Sequence, residues 1–101
     1  MKKYLMILLA VACFGLSANA TVFRSKQSVC GKDGGQLIFK SDGSVEVWNN
    51  GVYAGEGTYT IEENIIIMSF ENGKMRLSAN HNGQTLNNVS FRGDTYYRCN
   101  R

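Results

Sequence analysis

His81 is the only histidine in the chain, so a general base or a metal site would have to be built around it or without it. It lies in Asn80-His81-Asn82-Gly83, which reads as a hairpin tip and predicts a solvated loop histidine. Ser25, Ser28, Ser41, Ser44, Ser69, Ser78 and Ser90 lack the strand–turn–helix context that exposes a nucleophilic hydroxyl. Glu62 and Glu63 are adjacent, and neighbours on a strand point to opposite faces, so they make no acid–base pair and read with Asn64 as a polar turn. Gly31-Lys32-Asp33-Gly34-Gly35 is glycine-rich, but no helix follows it to hold a phosphate. Ser41-Asp42-Gly43-Ser44 carries too few carboxylates for a calcium loop. Arg92-Gly93-Asp94 matches an adhesive tripeptide and equally a hairpin turn, and Asn88-Val89-Ser90 is a formal glycosylation acceptor. These residues predict no catalysis, no cofactor and no metal.

The cysteines carry more information. Lys2-Lys3, the apolar run to Leu16 and Ser17-Ala18-Asn19-Ala20 have the three parts of a secretory signal peptide. The run is shorter than the roughly 18–20 residues a spanning helix needs, so no transmembrane segment is expected. Residues 1–20 are read as a leader cleaved after Ala20. The alternative, from Val11-Ala12-Cys13, makes Cys13 a lipid-modified N-terminus. Either way the protein is expected to be exported, periplasmic or extracellular. Cleavage after Ala20 leaves one domain, 21–101, with Cys30 and Cys99 near its two ends. An even count in a small exported domain predicts a disulfide. In loop-entropy terms, closing the 69-residue separation is worth on the order of 4 kcal/mol. The leader also removes two of the eleven basic residues, so 21–101 holds nine against eight acidic, a net +1 rather than +3. No basic stripe remains, and nucleic acid is not expected as a partner.

Turn signals recur about every ten residues: Ser41-Asp42-Gly43, Asn49-Asn50-Gly51, Glu71-Asn72-Gly73, Asn82-Gly83 and Arg92-Gly93-Asp94. Between them the alternation of apolar and polar residues predicts strands at Val22–Val29, Gln36–Lys40, Ser44–Trp48, Val52–Ile61, Ile65–Phe70, Lys74–Ala79, Gln84–Phe91 and Thr95–Cys99. The fold class is all-β: an up-and-down antiparallel meander of about eight strands closing into a barrel, with a two-sheet sandwich as the alternative. Seven strands between the cysteines would leave the sulfurs at opposite ends of such a meander, roughly 15–17 Å apart for five-residue strands. A bridge needs Cα atoms within about 7 Å. The pairing therefore predicts that Val52–Ile61 splits or kinks at Gly55-Glu56-Gly57, or that one nominal strand is a loop. Ile65-Ile66-Ile67-Met68 is apolar on both faces, which predicts a cover over the outer one, either Val22-Phe23 or a partner.

Phase divides the aromatic residues. Tyr53 and Tyr59 share the inward parity of Ile61, and Tyr97 is assigned inward with them. Trp48 has the opposite parity to Val45 and Val47, and Tyr96 opposes Tyr97. At eight strands the interior holds side chains or at most one small ligand, and the apolar residues available predict a filled core. Trp48, Tyr53, Tyr59 and Tyr96 are the candidate contact residues, because Trp and Tyr dominate binding hot spots. Packing of Trp48 under a neighbouring loop is the competing reading.

Ser41-Asp42-Gly43-Ser44-Val45, Gly57-Thr58-Tyr59-Thr60-Ile61 and Asn64-Ile65-Ile66-Ile67 together resemble the small lipocalin-like domains of bacterial envelope proteins, over most of residues 36–79. The resemblance implies an exported barrel that acts as a binding module, and it transfers no site residues. A fainter similarity is to bacterial inhibitors of c-type lysozyme. Tyr97-Arg98-Cys99 resembles their Tyr-x-Cys element, although here it stands at the other end of the chain. Ala54-Gly55-Glu56-Gly57-Thr58-Tyr59 loosely matches their Ser-Gly-x-x-Tyr loop. The expected function is non-catalytic binding of an unidentified small ligand or protein by a monomer or weak oligomer. The alternatives are an inhibitor of a secreted enzyme such as lysozyme and a structural or adhesive envelope component.

Overall fold

In the computed structural model, which describes residues 21–99, the alternating runs become eight strands. They are β1 (Gln27–Cys30), β2 (Gly35–Phe39), β3 (Ser44–Asn49), β4 (Val52–Glu62), β5 (Ile65–Phe70), β6 (Gly73–His81), β7 (Leu86–Phe91) and β8 (Asp94–Arg98). Each pairs antiparallel with the next, and β1 also pairs with β8. The result is one closed barrel, not two stacked sheets, and closure removes the exposed edges that invite aggregation. Among the described residues no helix is long and apolar enough to cross a membrane. The proposed leader and Cys13 lie outside the described residues.

The hairpins follow the turn chemistry. Asn50 and Gly51 join β3 to β4 with φ of 51° and 81°, the two positive values that a two-residue turn matching strand twist requires. Alternation then sends Leu37, Phe39, Val45, Ile66, Met68, Leu77 and Val89 inward, each less than a tenth exposed.

Five expectations are corrected. First, Val22–Val29 is not one strand. Only Gln27–Cys30 pairs along the sheet, while Thr21 makes an isolated bridge to Ile61 and Phe23 turns into the barrel. Second, the disulfide needs no split in the fourth strand. Cys30 and Cys99 are bonded, with Cα atoms 5.0 Å apart, while β4 runs unbroken through 11 residues. The parity argument assumed strands lying flush, but barrel closure staggers them. At the seam β1 and β8 overlap only by their C-terminal ends, Val29 opposite Arg98 and Cys30 opposite Tyr97, so the two tails meet. Third, Tyr53 faces outward. The β3–β4 register runs from Val47–Gly55 to Trp48–Tyr53; Ala54 is the extra residue, a β-bulge that reverses the parity of what precedes it. Fourth, Tyr96 and Tyr97 exchange roles. Tyr96 pairs with buried Val89 and packs against the core, while Tyr97 is 62% exposed. Fifth, Val22-Phe23 does not cover the outer face of β5, because Phe23 is spent inside.

Candidate functional site

The two ends of the barrel are built differently. At one, Phe23 enters as a plug and is fully buried. Its ring stacks on Tyr59 at 5.9 Å and meets Phe39 and His81 edge-on at 6.2 and 6.0 Å, the offset and T-shaped geometries that aromatic quadrupoles favour. The Tyr59 hydroxyl donates to the Lys40 carbonyl (2.8 Å) and accepts from the Phe23 amide (2.9 Å). A buried backbone N–H and the phenol are thereby both satisfied. Burial, opposed in part by that amide, holds the Tyr59 phenol above its ordinary value. His81 uses both ring nitrogens on backbone: Nε2–H donates to the Glu63 carbonyl and Nδ1 accepts from the Gly83 amide. It is a half-buried fastening of the plug, not a solvated loop residue, and Tyr59 is core rather than rim.

The other end is open. Between β2, β3, β5, β6, β7 and β8 lies a cavity of about 300 Å³, walled by Leu37, Val47, Met68, Phe70, Met75, Leu77, Val89, Phe91 and Tyr96, with Asn49 at the rim. It stays open because two aromatic rings lie against the wall on glycines. A Cβ on Gly57 would stand 2.6 Å from the Phe70 ring and 2.4 Å from the Ser69 carbonyl, and one on Gly35 would stand 2.7 Å from the Tyr96 hydroxyl. Only glycine permits those approaches. The interior is therefore filled at the plugged end and hollow at the other. At the rim, the Arg92 guanidinium sits 5.0 Å from the centre of the Phe91 ring, within cation–π range.

Outside the barrel, the bulge at Ala54 brings Tyr53 opposite Trp48, ring centres 5.5 Å apart and edge-on. The Trp48 indole N–H donates to Glu46 Oε1 (3.0 Å), Tyr53 hydroxyl contacts Glu56 Oε1 (3.3 Å), and Lys40 pairs with Glu46. The lysine, followed by the indole, holds the Glu46 carboxyl below its usual value. Trp48 is thus fixed on the outer wall, against Tyr53 and Glu46. Of the four candidate aromatics, Trp48 and Tyr53 come together outside, Tyr96 lines the cavity, and Tyr59 is sealed in the plug. Sequence reasoning missed Phe70, Met75, Phe91 and Asn49 as cavity walls, since inward parity alone does not separate a filled layer from a hollow one. Among the described residues no group of three or more His, Cys, Asp or Glu could hold a metal ion. No family model, curated protein or solved structure matches the chain.

Proposed function

We propose that the protein is a non-catalytic binding module, exported and lipocalin-like in its use of the barrel, that takes one small, largely apolar ligand in the open end. The observation that carries this reading is the cavity of about 300 Å³ with nine apolar or aromatic walls and an amide at its rim. Ligand sites have this composition, apolar lining with a few polar groups to set orientation, and volumes from about 300 Å³ upward. The disulfide supports export, since such bonds persist in oxidising compartments. The net charge of +1 on 21–101 supports a neutral ligand over nucleic acid.

The test uses N-phenyl-1-naphthylamine, a neutral apolar fluorophore. Saturable one-to-one binding is expected, and both Val47→Phe and Met75→Phe, which fill the cavity from opposite walls, should weaken it by tenfold or more at unchanged far-ultraviolet circular dichroism. Binding that both substitutions leave intact would overturn the reading.

A further inference from the structure

Beyond the cavity, the outer wall of β3 and β4 carries a feature the ligand-binding reading does not use. Trp48 and Tyr53 form an edge-on aromatic corner on a convex sheet face. Tyr53 is 50% exposed and its neighbour Val52 67%. Directly beside the corner, Glu46 and Glu56 occupy facing positions of the two strands, an arrangement of like charges that disfavours the folded sheet unless cations relieve it. The relief present is incomplete. Lys40 pairs with Glu46 and its pKa is raised by Glu46, Glu56 and Asp42 together, while Lys26 acts on Glu46 from further off. Among the described residues Lys40–Glu46 is the one ion pair, so Glu56, facing Glu46, is left without a paired cation.

We propose that this wall docks a protein partner through an arginine side chain, whose planar cation lies against the Trp48–Tyr53 corner while its N–H groups reach Glu56. Charge complementarity and the aromatic corner select the cation. The shape of the surface selects a macromolecule. The same outer row continues from Tyr53 and Trp48 to Gln36, three strands and roughly 10 Å across at about 4.8 Å per strand, before the closed barrel curves away through Cys30 to Tyr97. A convex face with Trp and Tyr anchors suits protein hot spots. Because the barrel has no free edge, the partner cannot add a strand and must bind through side chains. Toward the seam the wall changes sign at Lys26 and Arg98, which line a shallow groove with Gln36 and Ile38, so an incoming cation is steered to the β3–β4 side.

Trp48 is the only tryptophan, so its emission reports on the site directly. The probe is a short peptide alternating arginine with leucine, compared with the same peptide carrying glutamine at each arginine position. The arginine peptide should change Trp48 emission saturably, and the glutamine peptide should bind at least fivefold more weakly. Glu56→Gln should cost the arginine peptide about fivefold, the scale of an exposed ion pair, and Tyr53→Leu a similar factor. Glu56→Lys should abolish its preference over the glutamine peptide. Roughly tenfold more salt should weaken the binding, because the pair is exposed and screened. Equal response to both peptides, no saturable response, or indifference to Glu56→Gln and Glu56→Lys would overturn the proposal. So would an equally strong response to tetramethylammonium, which would reassign the corner to small cations. Concentration-dependent dimerisation that quenches Trp48 without peptide would overturn it in favour of a second copy.

Discussion

The plugged and open ends of this barrel are made from the same eight strands, yet they are held together by different physics. At the plugged end, Phe23, Phe39, Tyr59 and Ile66 fill the interior and are nearly inaccessible; stability there comes from apolar burial and satisfied backbone groups. At the open end Val47, Phe70, Met75, Phe91 and Tyr96 pack only partly against the core, leaving apolar surface unburied around the cavity. The seam between β1 and β8 offers just two facing pairs, and the Cys30–Cys99 bridge supplies covalently what interior packing does not. The bridge thus holds the barrel closed at its shortest pairing while one end stays under-packed.

The largest expected effect comes from breaking the plug. Phe23→Ala should cost about 3–5 kcal/mol, the range for deleting a buried phenylalanine that leaves a cavity. Phe91→Ala, at the half-exposed open end, should cost only about 1–2 kcal/mol, because less apolar area is returned to water. Urea unfolding of the two variants measures the contrast. Equal losses would mean that the open end is packed as tightly as the plug.

Much of the fold was legible in the chain, the contrast between its ends was not, and the reasons are identifiable. Turn dipeptides and alternation located β2 to β8 to within two residues, and the cysteine count located the bridge. Gly55 and Gly57 read as the place of a kink, whereas Gly57 serves the close approach of the Phe70 ring. Parity counting failed wherever one residue was added or a strand ended early. Ala54 turned Tyr53 outward. Adjacent Tyr96 and Tyr97 present identical side chains on opposite faces, so only the pairing of Tyr96 with Val89 decides which enters. Phe23 stands outside any strand, and only tertiary packing tells a plug from a strand residue. The cavity was least legible of all: hollowness depends on the distance between walls, and no local pattern records it.

The second effect sharpens the role given to the seam. Replacing Cys30 and Cys99 together by alanine should lower stability by about 2–4 kcal/mol, the usual range for a native bridge closing a long loop. The loss should be uneven. Amide hydrogen exchange should rise first in β1 and β8, at Val29 and Tyr97, while Tyr59 and Ile61 beside the plug stay protected. Uniform loss of protection would show that the seam is no weaker than the rest of the barrel.

The smallest effect concerns pH, and it belongs to the wall and turn beside the plug. The Asp42 carboxylate accepts from the Ser44 hydroxyl (2.6 Å) and amide (2.9 Å), and those bonds, the hydroxyl's first, hold its carboxyl below the ordinary value; Glu46 is depressed by Lys40 and then Trp48. A carboxyl whose folded value is lowered stabilises the fold above its unfolded value and loses that contribution as pH falls through the folded one. The melting temperature should therefore decline from about pH 4 downward. Tyr59 and Lys40, both raised, give the opposite sign. Their contribution is complete below about pH 10 and lost as pH climbs through the folded values. Asp42→Asn separates charge from geometry, because the asparagine oxygen can still accept both Ser44 bonds while no longer titrating. It should flatten the acid limb slightly and leave the alkaline limb and fluorophore binding at the distant cavity unchanged. An acid limb identical in Asp42→Asn and the parent would place the acid-sensitive contribution on Glu46, and Glu46→Gln would then have to remove it.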